Sequence, residues 1–340
     1  MSKRIGIVDL WKFIACIIII THHTYKILPS NYHRSLVDLR VFVEFFFIIT
    51  GYFTMLHFDK NDNTEQMAKS SIKYTIKKFS IFLPYVVIIT IVQYSVEYYV
   101  CYGKISSIGS LSYFLDVLFD SLLMGRYVEH VIPIWFLSAM FLVFPLFCMM
   151  CQMKDKYLLY IFSFLLTTYW CKCTNVESYN FFPLSLIRAF VFLMLGAFVY
   201  GVASYIKDFD FRKCWKIIFT IIEEFCMVFA IILLIKNEGY KSFVIFCFSI
   251  ALIFIFSEQT YTSKLNSRVF AWLGEISMVM YIAHWTIIYI IQIYLPYLEI
   301  YQKLILLYLV TFLFSLLFYM IIEKIIKQID MKKVFLRDAD

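Results

Sequence analysis

Long runs of apolar residues, separated by short polar segments, dominate the pattern along the chain. Ten of these runs are long enough to cross a bilayer, which takes roughly 20 apolar residues per helix. The runs are continuous and do not alternate with polar residues, so helices are predicted rather than the strands of a membrane barrel. The predicted spans are residues 6–27, 38–57, 79–101, 131–152, 157–173, 181–206, 215–236, 241–258, 270–294 and 302–326.

One further segment, Ser107–Gly125, is apolar but is interrupted by Asp116 and Asp120. This pattern predicts an interfacial or re-entrant helix rather than a span. The first apolar run carries ionisable residues and no small-residue cleavage site, so a cleaved signal peptide is not expected. Residues 1–328 are predicted to form one membrane-embedded domain, and residues 329–340 a short cytoplasmic tail.

Composition and charge define the class further. Of the 340 residues, 62% are hydrophobic and only 16% are charged, whereas a soluble domain carries about 25% charged residues. A soluble enzyme, a disordered protein and a repeat solenoid are therefore excluded. With the N-terminus inside, 20 of the 31 Lys and Arg residues lie in inside segments and nine in outside segments. The positive-inside rule then predicts an all-α polytopic membrane bundle of about ten transmembrane helices, with both termini cytoplasmic.

Ionisable residues inside the first span are the strongest functional clue, because each costs at least a few kcal/mol in a bilayer unless it faces a cavity or a partner. At 100° per residue, Asp9, Lys12 and His23 share one stripe, and His22 lies off it. Lys12 and His23 are about 16 Å apart along the helix axis. The alternative is that Lys12 only neutralises Asp9, while a backbone carbonyl caps His23.

Glu44 falls in the outer half of the second span, at a depth similar to that of His23 in the first. A carboxylate on an imidazole nitrogen fixes the tautomer and raises the basicity of the ring, so Glu44 is predicted to orient His23. Gly51 lies on the same helix face and offers a close backbone approach. The alternative partner of Glu44 is Arg40, one turn earlier.

Four more residues are candidates on the acceptor side of a site. Tyr281 and His284 share a narrow arc of the ninth span, although an intramembrane His also serves as a helix-packing hydrogen bonder. Arg188 in the sixth span is either a structural ion pair or a substrate clamp. Trp135 lies at the end of the fourth span, where aromatic belts also occur.

A basic cluster of Lys73, Lys77 and Lys78 precedes the third span on the predicted cytoplasmic side. It is either an electrostatic site for an anionic, phosphate-bearing donor or a contact for anionic lipids. The cysteine pairs Cys148/Cys151 and Cys171/Cys173 have no His or carboxylate beside them, so no metal site is predicted.

Four short segments occur in a fixed order along the chain. They are RIGIVDLWKFIA from Arg4, followed by His23; EFFFIITGYF from Glu44; IWFLSA from Ile134; and LGEISMVMYIAH from Leu273. Together they resemble the acyltransferase-3 family of membrane acyltransferases. Thr50 stands where the family usually has Ser, and Lys12 where Arg is commoner. Before the proline that corresponds to Pro84 the family usually has two basic sites; Lys77 and Lys78 match the first, and the second is empty here.

The resemblance implies transfer of an acyl group, usually acetyl, from cytoplasmic acyl-CoA to a hydroxyl of an exported or cell-surface glycan. It places the protein in a cell membrane, expected to be the bacterial cytoplasmic membrane, and implies no fused SGNH hydrolase-like domain. His23 is the implied general base, with Glu44 orienting it. The implied CoA-binding residues are Arg4, Lys12, Lys77 and Lys78, and the implied acceptor-side residues are Trp135, Arg188, Tyr281 and His284.

Acyl-CoA is expected as a co-substrate, with no bound cofactor. The expected partners are acyl-CoA, a glycan acceptor and membrane lipid, with a homo-oligomer left open and no nucleic acid. The competing interpretation is a polytopic transporter or a flippase of a lipid-linked sugar. The sequence has no internal repeat and no pair of Gly- or Pro-broken helices, which counts against a transporter.

Overall fold

The computed structural model describes residues 4–29, 36–60, 66–102, 132–173, 182–236 and 240–337. These residues form eleven α-helices and a few short 3₁₀ turns, without a strand in the described ranges. The helices are α1 (Gly6–His23), α2 (Phe42–Lys60), α3 (Met67–Phe79), α4 (Leu83–Tyr102), α5 (Trp135–Cys151), α6 (Lys156–Cys173), α7 (Phe182–Lys207), α8 (Lys213–Lys236), α9 (Lys241–Phe256), α10 (Arg268–Tyr294) and α11 (Ile300–Arg337).

The prediction of an all-α membrane protein is confirmed, since each predicted apolar run lies mostly within one of these helices. Six helices in the described part of the chain are long and apolar enough to cross a membrane, or up to seven if α3 and α4 count as one bent span. Helices α5 and α9 are apolar but shorter. The count of about ten spans and the cytoplasmic location of both termini therefore stay predictions.

The break between α3 and α4 and the end of α11 both reflect local sequence. Helices α3 and α4 meet at an angle of 51°, just before Pro84, whose ring disfavours helical backbone in the residue ahead of it. Helix α11 continues to Arg337, through most of the predicted tail, because Met, Lys, Leu and Arg there are good helix formers. The predicted interfacial helix Ser107–Gly125 lies outside the described residues.

Glycines bring the central helices into close contact. A Cβ atom added at Gly51 of α2 would overlap the carbonyl oxygen of Leu193 in α7, and one added at Gly196 would overlap the carbonyl oxygen of Ile48. The close backbone approach predicted for Gly51 is therefore present, and its partner is α7. A similar contact joins α1 to α10, where Asp9 packs on Gly274.

Burial separates central helices from peripheral ones. In the most apolar 18-residue stretch of α2 and of α10, 72% of the residues are buried, against 28% for the same stretch of α8 and of α11. The exposed face of α8 consists of apolar side chains such as Ile221, Phe225 and Val228, which suits contact with lipid. The candidate residues His23, Glu44, Arg188 and His284 accordingly lie on the central helices α1, α2, α7 and α10.

Candidate functional site

His23 and His284 form a buried pair at the contact between α1 and α10. His23 Nδ1 lies 2.9 Å from His284 Nε2, and the two rings are stacked with centroids 5.0 Å apart. His284 is completely buried and His23 is 8% exposed. The other ring nitrogen of His284, Nδ1, lies 3.2 Å from the carbonyl oxygen of Met280. The contact thus joins two histidines that lie 261 positions apart in the chain.

Glu44 does not contact His23 as predicted, because its carboxylate binds Arg188. Arg188 Nε and Nη2 donate to the two carboxylate oxygens over 2.9 and 2.8 Å. Both side chains are at most 4% exposed. A guanidinium offers a carboxylate two parallel charge-assisted bonds, whereas a neutral imidazole offers one weaker bond. The predicted orientation of His23 by Glu44 is corrected accordingly: the hydrogen-bond partner of His23 is His284.

Arg188 also connects Glu44 to the fourth predicted span. Its Cζ atom lies 5.0 Å from the ring centroid of Trp135, a cation–π distance. Arg188 therefore lies between a carboxylate and an aromatic face. Of the two readings of Arg188, a structural ion pair or a substrate clamp, the ion pair is present in the structure.

An aromatic group covers the other side of His23. The Trp285 ring meets the His23 ring edge-on with centroids 5.3 Å apart. Lys26 Nζ lies 5.7 Å from the Trp285 ring centroid, on the turn that follows α1. Sequence reasoning missed both residues. The available signals were that Trp285 follows His284 directly and that Lys26 lies one turn after His23.

A cavity of about 700 Å³ lies next to the histidine pair. Tyr281 lines it, and the Tyr281 ring centroid is 5.9 Å from that of His284. The Tyr281 hydroxyl donates to the Pro133 carbonyl oxygen over 2.9 Å, so the ring is held in place. Neither His23 nor His284 lines the cavity. Tyr281 therefore belongs to a wall between the cavity and the two imidazoles.

Three of the four predicted CoA-binding residues line this cavity, namely Arg4, Lys12 and Lys78. The fourth, Lys77, does not line the cavity, although Lys77 and Lys78 are both exposed. Successive residues on a helix point about 100° apart. The basic cluster predicted from sequence is therefore divided, with Lys78 at the cavity and Lys73 and Lys77 outside it.

Carboxylates already neutralise part of this positive charge. Arg4 binds Asp9 and Glu275, each at 2.5 Å, and Lys12 Nζ lies 3.1 Å from Asp9. The alternative reading of Lys12 as a partner of Asp9 is thus a real contact. Within the described ranges, Lys78 has no carboxylate within 4.0 Å, and its Nζ lies 5.4 Å from the Tyr74 ring centroid. Lys78 is the cavity cation most open to an incoming anion.

Sequence reasoning also missed acidic and phenolic residues of the cavity. Glu275 and Tyr319, whose hydroxyl donates to that carboxylate, both line it, as does Glu323. The signal for Glu275 was its place between Gly274 and Ser277 in a quoted motif. Nothing in the sequence links it to Tyr319, which belongs to another helix. In the described part of the chain, no three His, Cys, Asp or Glu residues form a group that could hold a metal ion.

The profile of the acyltransferase-3 family, described as an acyltransferase domain, matches residues 5–324. The match covers nearly the whole chain, including both histidines of the pair and every cavity-lining residue except Arg4. Searches of curated proteins and of solved structures found no significant match.

Proposed function

This chain belongs to the acyltransferase-3 family of membrane acyltransferases, and we propose that it transfers an acyl group, acetyl in the first instance, from cytoplasmic acyl-CoA to a hydroxyl of an exported or cell-surface glycan. The observation that carries the proposal is the arrangement of one cavity. Lys12 and Lys78 line the cavity of about 700 Å³, and Tyr281 separates it from His23 and His284. The membrane is proposed to be a bacterial cytoplasmic membrane, with both termini inside.

The donor occupies the lysine-lined cavity in this proposal. CoA carries phosphates, and a lysine ammonium binds phosphate as a compact point charge. Lys78 takes a phosphate directly. Lys12 and Arg4 first have to share or release Asp9, so their contribution to donor binding is smaller. The apolar lining, which includes Phe46, Phe136 and Ile282, suits an acyl chain and its thioester better than it suits water.

His23 acts as the general base in the transfer. The Tyr281 ring has to move aside so that the thioester in the cavity can reach His23. His23 then takes the proton of the acceptor hydroxyl while the hydroxyl oxygen forms a bond to the acyl carbon. The carbon–sulfur bond then breaks, and the departing thiolate takes the proton back from His23. The products are the ester and free CoA thiol, so atoms and charge balance. In the alternative route, His23 attacks the thioester carbon and the CoA thiolate leaves. The acceptor hydroxyl then attacks the acyl-imidazolium, its proton goes to the thiolate, and neutral His23 is regenerated.

The acceptor approaches His23 from the side opposite the cavity. Trp285, Tyr25 and Lys26 surround His23 at that end of α1. Aromatic rings and a lysine offer a sugar a stacking surface and a hydrogen-bond donor. Arg188 and Trp135 support the same half of the bundle through their contact with Glu44.

The test uses purified protein in lipid nanodiscs with radiolabelled acetyl-CoA and extracted cell-surface glycans. We expect release of free CoA together with label in the glycan. A positioned base contributes about 10²–10⁴-fold in rate, so His23→Ala should lose at least about a hundredfold. Trp215→Ala is the control, because Trp215 is exposed on α8 and lines neither the cavity nor the histidine pair.

Two results would contradict the proposal. A wild-type protein that moves a lipid-linked sugar across vesicles, without releasing CoA or labelling glycan, would be a transporter or flippase instead. Normal glycan labelling by His23→Ala would remove His23 from the reaction. Mass spectrometry of the cell-surface glycans, with and without the protein, identifies the acyl group and the acceptor together.

A further inference from the structure

The hydrogen bonds of the histidine pair assign a proton to one nitrogen of each ring. We infer that His284 is a positioning residue that holds neutral His23 in the tautomer with its proton on Nδ1, which leaves Nε2 as the nitrogen that accepts the proton of the acceptor. This inference rests on the proposed role of His23 as general base. It gives His284, rather than Glu44, the task of orienting that base.

The argument starts at the backbone. The Met280 carbonyl oxygen only accepts hydrogen bonds, so His284 Nδ1, which lies 3.2 Å from it, carries a hydrogen and donates. A neutral imidazole has one N–H and one lone pair. His284 Nε2 therefore presents its lone pair. The backbone of α10, one turn before His284, sets the tautomer of this residue.

The same reasoning passes to the second ring. His284 Nε2 lies 2.9 Å from His23 Nδ1, and two lone pairs facing each other would repel. His23 Nδ1 therefore carries the hydrogen and donates it to His284. Neutral His23 then has its lone pair on Nε2, the only ring nitrogen left for a substrate. The order of donors is thus His23 Nδ1, His284 Nε2 as acceptor, then His284 Nδ1 to the Met280 carbonyl.

Burial supports neutral rings in the resting protein. His284 is fully buried and His23 is 8% exposed, and a buried unpaired charge is costly. Within the described residues, no carboxylate lies within 4.0 Å of a ring nitrogen of His23 or His284. The neighbours of His23 are instead the His22 ring and Trp285, over which Lys26 lies. A protonated His284 would donate from Nε2 to His23 Nδ1 and would place the hydrogen of His23 on Nε2 instead. Because the described residues place no carboxylate beside His284, burial favours its neutral form.

The relay also explains why His284 does not bind the acceptor glycan itself. Both of its nitrogens are occupied, one by His23 and one by Met280. When His23 Nε2 takes the proton from the acceptor hydroxyl, the ring becomes an imidazolium. Its Nδ1–H then becomes a charge-assisted donor to His284, which strengthens that bond as the reaction proceeds. His284 stabilises the protonated base and does not touch the reacting atoms.

The first test replaces His284 by two residues that differ in whether they accept a hydrogen bond. In His284→Gln, the side-chain oxygen can accept from His23 Nδ1, and the amide nitrogen can still donate. In His284→Leu, no acceptor remains. We expect His284→Leu to lose about tenfold or more in kcat, which is part of the 10²–10⁴-fold that a positioned base supplies in total. The KM for acetyl-CoA should not change. His284→Gln should retain most of kcat.

The second test reads the tautomer without turnover. In protein labelled with ¹⁵N-histidine, solid-state NMR in nanodiscs distinguishes a ring nitrogen that carries hydrogen from one that does not. The His23 signals are those that disappear in His23→Gln. We expect hydrogen on Nδ1 and none on Nε2 in the wild type. His284→Leu should shift His23 toward the tautomer with hydrogen on Nε2.

The outcomes distinguish failure of the His284 inference from failure of the proposed acyl transfer. Hydrogen on His23 Nε2 in the wild type, or the same His23 spectrum in His284→Leu, would overturn the inference. Equal loss of kcat in the Leu and Gln variants would do so as well, because only ring shape would then matter. Absence of glycan labelling by the wild type, combined with the expected tautomer, would contradict the proposed function and leave the hydrogen-bond relay in place.

Discussion

Glu44 and Arg188 form a two-point ion pair that joins α2 to α7 inside the protein, through bonds of 2.9 and 2.8 Å. The same two helices approach closely at Gly51 and Gly196. The ion pair and the glycine contact therefore hold one interface at two depths. Removing one partner of a buried pair leaves a charge without compensation, which is the costly change.

We expect Glu44→Gln to lower the free energy of unfolding by about 3–5 kcal/mol, the cost of breaking a buried pair from one side. The double variant Glu44→Gln/Arg188→Met should recover part of that loss, because neither charge is then left buried. Denaturant unfolding in detergent, followed by tryptophan fluorescence, measures both. Equal losses in the single and double variants would show that the pair does not stabilise this interface.

Gly51→Ala should destabilise the protein by about 1–3 kcal/mol, the usual range for overpacking a tight contact. The new methyl group would overlap the backbone carbonyl of Leu193, and backbone cannot turn away. The comparison variant is Gly201→Ala, because there the added Cβ would meet the ring of Tyr160, a side chain that can rotate. A loss at Gly201 as large as that at Gly51 would argue against a backbone contact as the cause.

Lys78→Ala should raise the KM for acetyl-CoA about ten- to a hundredfold. A hydrogen bond to a charged group is worth about 1.5–3 kcal/mol, and about 1.4 kcal/mol corresponds to a factor of ten. Lys77→Ala is the matched control, since Lys77 is adjacent in sequence but does not line the cavity. Steady-state kinetics at two salt concentrations should show the effect only for Lys78→Ala. Equal effects of both variants would point to general attraction by the basic cluster.

Tyr281→Ala should separate CoA release from glycan acylation. The Tyr281 ring closes the cavity toward His284, so its removal opens a path for water to reach the thioester. We expect CoA release without acceptor to rise relative to the wild type. Tyr281→Phe keeps the ring and loses only the hydrogen bond to the Pro133 carbonyl, so it should behave much more like the wild type. Tight coupling in Tyr281→Ala would contradict the role of this ring as a wall.

Local sequence patterns predicted some features of the site well. The stripe of Asp9, Lys12 and His23 follows from the helical repeat alone. Contacts between Asp9 and Lys12 on α1, and the close approach at Gly51, were readable because helix geometry and the absence of a Cβ determine them. In each of these cases the relevant neighbours lie one or two turns away, or the residue type carries the signal by itself.

The partners of the buried polar groups could not be read from local patterns. Glu44 was expected beside His23 because both lie at similar depth, yet depth does not give the rotation of one helix against another. Arg188 lies 144 positions away in the chain from Glu44, and His284 lies 261 positions away from His23. A guanidinium competes successfully for the carboxylate, which leaves the imidazole to a second imidazole.

The sequence alone determined that this protein belongs in a membrane and which ionisable side chains lie within its apolar runs. Composition and the helical repeat show apolar runs of membrane length, few charges, and ionisable side chains within the spans. Such runs have to be helical, because in lipid every backbone polar group needs a partner within the protein. Only the tertiary structure decided which of those side chains meet. Packing of α1 on α10, and of α2 on α7, assigned His23 to His284 and Glu44 to Arg188, and it placed Lys78 in the cavity while leaving Lys77 outside. Contacts of this kind depend on the rotation and separation of whole helices, which no single helix encodes.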